Sequence, residues 1–281
     1  MRIVLLENPA SGSGSGPSGD DLARMLRAEG AEVERLPIDR AAEVGDVGAE
    51  RAVVAGGDGS VAPAALAAGG AGLPLAVVPT GTANDFARRM GLPDDPEEAC
   101  RLAARGTDTR RLDLGCAGER PFVNVATAGL AVSAARRAGP LKGVLGPLAY
   151  LVGALRTAVS GRPVECAVTV DGRRLFAGRA WQVMVACSGA FGAGSRIEGA
   201  DPSDGLLDAV AVAAGPRRRL ARHAYGLRRG RITAQPGVVS GRGAGVDLEL
   251  PAGAELNVDG EVVPASPRLA VLPGWFALVV P

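Results

Sequence analysis

The first 110 residues alternate between short apolar runs and amphipathic segments. Apolar runs bounded by glycine, proline or aspartate predict buried strands, and apolar positions three or four residues apart predict helices. The predicted strands cover residues 2–6, 32–36, 51–55 and 75–78, and the predicted helices cover residues 20–29, 63–68, 85–90 and 96–105. Such alternation is typical of a parallel sheet with helices on both faces, in which ligands bind at the carboxyl ends of the strands.

From about residue 112 the pattern changes to short strands between turns rich in glycine, proline and aspartate, as in a β-sandwich. The predicted strands cover residues 122–126, 164–170, 174–176, 181–186, 207–212, 238–240, 246–250, 255–258 and 275–280, and two helices are predicted at 141–160 and 217–229. The sequence therefore predicts an α/β N-terminal domain, residues 1–114, and a mostly β C-terminal sandwich domain, residues 115–267. We expect residues 268–281 to pack back on the first domain.

Composition narrows the possible chemistry. The chain has 281 residues, of which 47% are hydrophobic and 22% charged, and its formal net charge is +1. It is long enough to bury a core, and its overall charge does not indicate a nucleic-acid partner. Lys142 is the only lysine and His223 the only histidine. A P-loop lysine, a histidine metal cluster and a Ser-His-Asp triad are therefore excluded.

The cysteines, the N-terminal sequence and the longest apolar tract together predict the compartment of the protein. The four cysteines are widely spaced, which favours reduced packing thiols over a disulfide framework. The N-terminus lacks the basic and apolar regions of a signal peptide. The longest apolar tract, residues 144–155, is shorter than the ~20 residues that span a bilayer. We therefore expect a cytoplasmic protein.

Three polar loops follow predicted strands. Residues 56–60 (GGDGS) follow the third strand directly, and glycines there allow positive φ and a close approach to phosphate. Asp58 would repel a bare phosphate, but it suits a site in which Mg²⁺ lies between the two groups. An ordinary tight turn containing an aspartate is the plainer alternative.

The other two loops occupy equivalent positions. Residues 79–86 (PTGTANDF) follow the fourth strand, where Thr82 can donate to a phosphate and Asn84 or Asp85 can cap the next helix. Residues 8–12 (NPASG) follow the first strand. Because parallel strands end at one edge of the sheet, the three loops predict a shared nucleotide site.

Together with two later segments, these loops resemble a known family. Residues 8–12, 56–60, 79–85, 201–208 (DPSDGLLD) and 259–261 (DGE) look like the ordered motifs of the diacylglycerol kinase catalytic family, which includes bacterial lipid kinases and sphingosine and ceramide kinases. The resemblance covers nearly the whole chain. It implies ATP- and Mg²⁺-dependent phosphorylation of a lipid hydroxyl, with ATP on the α/β domain and the lipid in the β domain.

The resemblance also implies roles for single residues. ATP would be bound by Asn8, Pro9, Ala10, Ser11, Gly12, Gly56, Gly57, Gly59, Ser60, Gly81, Thr82 and Asn84. Asp58, which is also a catalytic candidate, and Asp85 would hold the catalytic Mg²⁺. Asp201, Asp204 and the carbonyl of Leu206 would bind a structural Mg²⁺, and Asp259 or Glu261 would be the general base.

Some residues depart from the family pattern or have plainer explanations. Ala62 and Pro63 replace the Asn and Glu that usually continue the first glycine motif, and a nucleotide-side threonine is replaced near Ala41. Without the resemblance, the aspartates of residues 201–208 are equally well explained as turn residues. Likewise, Asp259-Gly260 would be read as a hairpin turn.

One segment of the chain is strongly cationic, which bears on the kind of surface that the protein contacts. Residues 217–231 (RRRLARHAYGLRRGR) concentrate arginine in a nearly neutral protein. A solvated helix face is one interpretation, and peripheral attraction to the anionic inner face of the membrane is the other. Nucleic acid is not expected, because only Tyr225 could stack on a base. The oligomeric state, a homodimer included, is open.

Three rival functions remain. Residues 14–19 match GxGxxG with Asp39 at the ribose-binding offset, as in a dinucleotide-dependent oxidoreductase, but the motif starts seven residues past its strand and contains Pro17. An NAD kinase also uses a Gly-Gly-Asp-Gly loop. A catalytically inactive lipid-binding homologue is the third alternative. The sequence does not name the acceptor, whether diacylglycerol, a sphingoid base or another lipid alcohol.

Overall fold

The computed structural model describes residues 1–8, 16–138, 161–192 and 194–281. The chain forms two compact units, an N-terminal unit of Met1–Leu114 with Leu272–Pro281 and a C-terminal unit of Gly115–Val271. Each has its own buried apolar cluster. The predicted helix at residues 141–160 lies outside the described residues.

The elements follow one another in this order. The strands are β1 (Arg2–Glu7), β2 (Glu32–Pro37), β3 (Arg51–Gly56), β4 (Leu75–Pro79), β5 (Thr109–Ala117), β6 (Arg120–Phe122), β7 (Val125–Gly129), β8 (Val164–Val170), β9 (Arg173–Ala186), β10 (Ala190–Phe191), β11 (Ser195–Arg196), β12 (Leu207–Ala213), β13 (Val238–Gly243), β14 (Gly245–Glu249), β15 (Glu255–Val258), β16 (Glu261–Pro264) and β17 (Arg268–Val279). The helices are α1 (Gly19–Ala28), a 3₁₀ helix (Ile38–Gly45), α2 (Asp58–Gly70), α3 (Asp85–Met90), α4 (Pro96–Arg105), α5 (Leu130–Ala138) and α6 (Arg218–Arg228).

The N-terminal unit is built on a parallel sheet. Its strands lie in the order β4-β3-β1-β2, and the last part of β17 pairs in parallel with β4 at Leu278 and Leu75. Strands β3 and β4 are buried along their whole length, which explains their continuous apolar sequences. The predicted α/β fold class is confirmed.

Local signals fix the helix starts of this unit. Ser18 and Asp21 form a reciprocal capping box at α1, and the Asp95 carboxylate accepts from the Glu97 and Glu98 amides at α4. The buried Arg51 side chain donates to the carbonyl of Gly106 at 2.7 Å, so β3 is tied to the end of α4.

The C-terminal unit is mainly antiparallel. Strand β9 pairs with β8 along its first half and with β7 and β12 along its second half. Strands β13, β14, β15 and β16 extend this arrangement as antiparallel neighbours. The predicted sandwich class is confirmed in this unit.

Several predicted boundaries were wrong. Residues 174–176 and 181–186 belong to the single strand β9, because Gly178 continues the strand with a positive φ of 131°. Residues 122–126 fall in two strands, β6 and β7, and the last predicted strand begins seven residues earlier, at Arg268. Helix α5 was not predicted.

The start of α2 was also misplaced. The helix begins at Asp58, directly after Gly57, and not at Pro63. Pro63 lies in the second turn, where its ring nitrogen cannot donate an intrahelical hydrogen bond. The sequence placed the proline at a helix start because that is its preferred position.

Candidate active site

Asn8 and the second and third loops meet at the carboxyl ends of β1, β3 and β4 in the N-terminal unit. The Asn8 side-chain amide donates to the Ser60 hydroxyl at 3.2 Å, which joins the first loop to the second. The Thr80 amide donates to the Gly56 carbonyl at 3.1 Å, which joins the second to the third. The structure therefore brings together the loops that the sequence grouped.

Two glycines allow the second and third loops to touch. A Cβ added at Gly81 would lie 2.5 Å from the Gly57 Cα, and one added at Gly57 would lie 3.2 Å from the Gly81 Cα. Gly57 has a φ of −95°, so the expected left-handed conformation is not adopted there. These glycines are needed for backbone contact between the loops.

Asp58 holds the start of α3 from the neighbouring loop. Its two carboxylate oxygens accept hydrogen bonds from the backbone amides of Phe86, at 2.8 Å, and Asp85, at 3.1 Å. Capping by Asn84 was predicted, but its side chain makes no cap bond. Instead Asn84, at a φ of 48°, bonds the amide and carbonyl of Gly81 at 3.0 and 2.9 Å.

The carboxylates of this site suit Mg²⁺ held with substrate phosphates. Asp58 is half-buried, and its carboxylate accepts the two amide hydrogen bonds described above. Asp85 is buried, with Arg88 at 2.9 Å from one of its oxygens. Mg²⁺ is commonly held by one or two carboxylates and by phosphate oxygens. The donor set therefore fits a metal that arrives with a nucleotide.

The remaining predicted nucleotide residues differ in accessibility. Thr82 is exposed at the rim of the third loop, whereas Ser60 is only 2% exposed and accepts from Asn8. Ser60 is thus placed to join loops. Pro9, Ala10, Ser11 and Gly12 lie outside the described residues.

The acidic turn of the C-terminal unit is a two-residue hairpin between β15 and β16. Asp259 and Gly260 have φ values of 45° and 95°, the positive angles that a type I′ turn requires. Both oxygens of the Asp259 carboxylate accept backbone amide hydrogen bonds, from Val123 at 2.8 Å and Val125 at 2.9 Å, and the Asn124 amide lies at 3.1 Å. Asp259 therefore anchors the segment between β6 and β7.

Glu261 has different surroundings. It is the first residue of β16, its side chain is 54% exposed, and it forms an ion pair with Arg120. Asp259 and Glu261 thus both bind residues 120–125, but Glu261 has the more accessible carboxylate.

The sequence reasoning missed the polar groups around this anchor. Asn124 is 2% exposed and accepts from the Ser188 hydroxyl at 2.7 Å, while the Cys187 amide donates to the Asn124 carbonyl at 2.9 Å. The scarcity of asparagine was a usable signal, because Asn124 is one of only four in the chain.

The loop before β12 contains the residues predicted to bind a structural Mg²⁺, Asp201, Asp204 and Leu206. Asp201 accepts from the Ser203 amide and hydroxyl at 3.1 and 2.6 Å, and Asp204 accepts from the Leu206 amide at 3.0 Å. Asp204 also forms an ion pair with Arg242. Across the described ranges, no three His, Cys, Asp or Glu side chains gather as metal ligands. These hydrogen bonds are those of the turn interpretation, and the structural Mg²⁺ site at Asp201, Asp204 and the Leu206 carbonyl stays a prediction.

Arg242 also reaches the buried Asp208, with its Nε 3.1 Å from the carboxylate. The two residues are direct neighbours on β12 and β13. Burial raises the pKa of Asp208, and the guanidinium opposes that rise.

Two family profiles cover most of the chain. One described as Diacylglycerol kinase catalytic domain matches residues 2–117, and one described as YegS C-terminal NAD kinase beta sandwich-like domain matches residues 124–280. The chain therefore belongs to the diacylglycerol kinase family of lipid kinases, with a YegS-type C-terminal domain. This confirms the family resemblance seen in the motifs.

Curated relatives agree with this membership. A protein named Probable lipid kinase YegS-like from Chromohalobacter salexigens is 43% identical over 84 residues, which are 29% of this chain and 27% of that protein. A diacylglycerol kinase from Staphylococcus aureus (strain bovine RF122 / ET3-1) is 27% identical over 189 residues, or 66% of this chain and 59% of that protein. The chain thus matches less than two thirds of the length of either relative.

Solved structures share the fold. A diacylglycerol kinase from Bacillus anthracis str. Sterne superimposes with a TM-score of 0.80 at 22% identity, covering 100% of this chain and 97% of the other. An NAD kinase from Archaeoglobus fulgidus in complex with ATP gives a TM-score of 0.54 at 16% identity, covering 100% and 93%. The chain therefore shares its fold with this NAD kinase.

Proposed function

We propose that this protein transfers a phosphoryl group from ATP to the hydroxyl of a lipid alcohol such as diacylglycerol, with Mg²⁺. The observation that carries the proposal is the contact of three loops at one sheet edge, with Asp58 and Asp85 adjacent at its centre. Family membership supports the lipid-kinase class. ATP would bind the N-terminal unit and the lipid would bind the C-terminal unit.

The chain's own groups would position the nucleotide. Backbone amides in the first turn of α2 and the exposed Thr82 hydroxyl can donate to phosphate oxygens. Asp58 and Asp85 would hold Mg²⁺, which would neutralise charge on the phosphates. Asp58 also accepts a hydrogen bond from the Phe86 amide at the start of α3. The same residue would therefore both hold the third loop in place and bind the metal. In phosphoryl transfer, such positioning and charge stabilisation supply most of the catalysis.

The acceptor hydroxyl needs a base, and we propose Glu261. The Asp259 carboxylate accepts hydrogen bonds from three consecutive amides, those of Val123, Asn124 and Val125, which commit it to holding the segment between β6 and β7. The Glu261 side chain is 54% exposed and forms an ion pair with Arg120. Asp259 would then be a positioning residue. This changes the preference drawn from the sequence, which favoured Asp259 for its shorter side chain.

We also propose that the protein acts at the anionic inner face of the cytoplasmic membrane. Helix α6 presents Arg218, Arg219 and Arg222 to solvent, Arg229 is exposed directly after it, and Tyr225 is 62% exposed on the helix. None of the helices in the described part of the chain is long and apolar enough to cross a bilayer. Each basic residue near an anionic leaflet contributes ~1 kcal/mol of attraction.

Calorimetric titration of ATP tests the nucleotide part. We expect binding that strengthens when Mg²⁺ is present and weakens in Asp85→Asn, because one of the two metal carboxylates is lost. Arg24→Gln is a suitable control, since Arg24 is exposed on α1. Absence of ATP binding in both conditions would contradict the proposal. NAD offered as an alternative acceptor separates this function from the NAD-kinase alternative, whose fold is similar.

A further inference from the structure

The C-terminal unit contains a cavity lined by three arginines. Its volume is about 610 Å³, and Arg162, Arg179 and Arg217 contribute to its wall. They come from three separate places, the segment before β8, strand β9 and the residue before α6. The wall formed by the described residues includes no acidic side chain. Three like charges therefore converge on one concave space.

The cavity has a rigid wall. The Trp181 ring, 5% exposed, donates from Nε1 to the Gly215 carbonyl at 3.1 Å. The Arg217 guanidinium lies 5.1 Å from the Trp181 ring centroid and donates to the Gly161 carbonyl at 2.7 Å. One guanidinium is thus held in place before any ligand arrives, which reduces the entropy lost on binding.

The surrounding charges favour an anion. Glu165 is the cross-strand neighbour of Arg179, but it does not line the cavity. The first turn of α6 has no acidic residue and begins with consecutive arginines. Because the N-terminal end of a helix is its positive end, these arginines add to the positive charge there. An anion in the cavity would offset this concentration of positive charge.

We propose that this cavity binds a phosphate monoester, either the headgroup of an anionic lipid such as phosphatidic acid or a soluble phosphate. Guanidinium groups match phosphate oxygens in a planar, bidentate geometry. The lining residues all belong to the C-terminal unit, and none of them is a residue of the nucleotide loops. The inference does not depend on the proposed kinase activity.

The test is a calorimetric titration of monomeric dihexanoyl phosphatidic acid, and separately of inorganic phosphate, without ATP or Mg²⁺. In Arg162→Gln and Arg179→Gln we expect binding to weaken about 10- to 100-fold, because each loses a charge-assisted hydrogen bond. Arg173→Gln is the matched control, since Arg173 is exposed on β9, carries the same charge and does not line the cavity.

The two probes distinguish the source of the phosphate. Tighter binding of dihexanoyl phosphatidic acid assigns the site to a lipid headgroup, and equal binding of inorganic phosphate assigns it to the phosphate group itself. The proposal is overturned if neither probe binds, or if Arg173→Gln weakens binding as much as the cavity variants. It is also overturned if both cavity variants bind like wild type. Thermal melting checks folding, and Arg162, exposed before β8, provides a variant outside the core.

Discussion

Asp259 and Glu261 show how two acids on one turn acquire different roles. The turn geometry aims the Asp259 carboxylate at three consecutive amides, while Glu261 starts β16 with an exposed side chain. A carboxylate that accepts hydrogen bonds from several backbone amides is held in one position. One that is exposed remains available to a substrate hydroxyl.

The two amide substitutions should therefore have different effects. We expect Glu261→Gln to lower kcat about 10²- to 10⁴-fold, the usual contribution of a positioned base, with little change in melting temperature. Asp259→Asn should lower the melting temperature, because an amide NH₂ replaces an oxygen that accepts from a backbone amide. Steady-state kinetics and thermal melting check both. A Glu261→Gln enzyme with wild-type kcat would contradict the base assignment.

The cysteines provide a second test at this scale. Burial raises the pKa of Cys100 and of Cys166 to about 11, from an ordinary value of 9.0. At pH 8 the reactive thiolate fraction should therefore fall about 100-fold, since each pKa unit changes it about tenfold. Iodoacetamide labelling of the folded protein, read by mass spectrometry, should leave both residues unmodified until denaturant is added. Rapid native labelling of either would contradict their buried placement.

The sequence indicated which single residues are chemically distinctive, but it did not indicate the contacts that they make. It identified Asp58 as an acid at a strand end, because charge beside a glycine loop is conspicuous. It did not predict that Asp58 bonds the Asp85 and Phe86 amides, since that contact joins residues 27 and 28 positions apart. The ion pair between Asp204 and Arg242, 38 positions apart, was missed for the same reason.

At the scale of elements, the nucleotide site depends on the backbone contact between two glycine loops. Gly57 follows β3 and Gly81 follows β4, and these strands are parallel neighbours. The loops approach so closely that Gly81 has no room for a side chain, and a Cβ at Gly57 would be tightly packed.

Gly81→Ala should therefore disturb the site. Its Cβ would lie 2.5 Å from the Gly57 Cα and 2.8 Å from the Asn84 Oδ1. We expect ATP affinity to fall at least tenfold and the melting temperature to drop. Gly70→Ala is the control, because no atom lies within 4 Å of its added Cβ and alanine favours the helix. Equal ATP binding by Gly81→Ala and wild type would show that the loop contact is dispensable.

Element types were predicted better than element boundaries. Strands β8 and β15 and helix α4 were predicted to the residue, because turn residues or caps bound their apolar patterns. Helix α2 was predicted too short because residues 58–60 resemble a turn in isolation. These residues are helical because Ser60 and Val61 are buried against the rest of the fold. The periodicity of the sequence does not reveal this burial.

At the scale of the whole molecule, the nearly neutral net charge conceals a local concentration of arginine on α6. Ion pairs with acidic partners occur on many other arginines, including Arg24, Arg40 and Arg174. Helix α6 has no acidic residue of its own. Its exposed face is therefore a local source of positive potential.

Liposome sedimentation tests whether this face reaches the membrane. We expect binding to vesicles containing anionic lipid that falls between 0.1 M and 1 M salt, as the Debye length shrinks from ~10 Å to ~3 Å. Arg218→Gln with Arg222→Gln should weaken binding about 10- to 30-fold, from ~1 kcal/mol per residue. Arg24→Gln with Arg40→Gln removes equal charge from the N-terminal unit as the control. Binding that is equal on neutral vesicles would remove α6 from the mechanism.

The most direct test of the central claim is transfer of labelled γ-phosphate from ATP to a panel of neutral lipid alcohols, with Mg²⁺. We predict a radiolabelled phospholipid from at least one alcohol, diacylglycerol among them, and no labelled NADP when NAD is offered. Asp58→Asn should lower this turnover at least 100-fold, because the metal loses a carboxylate. A wild-type protein that binds Mg-ATP and labels no lipid in the panel, or an Asp58→Asn variant with wild-type turnover, would contradict the account.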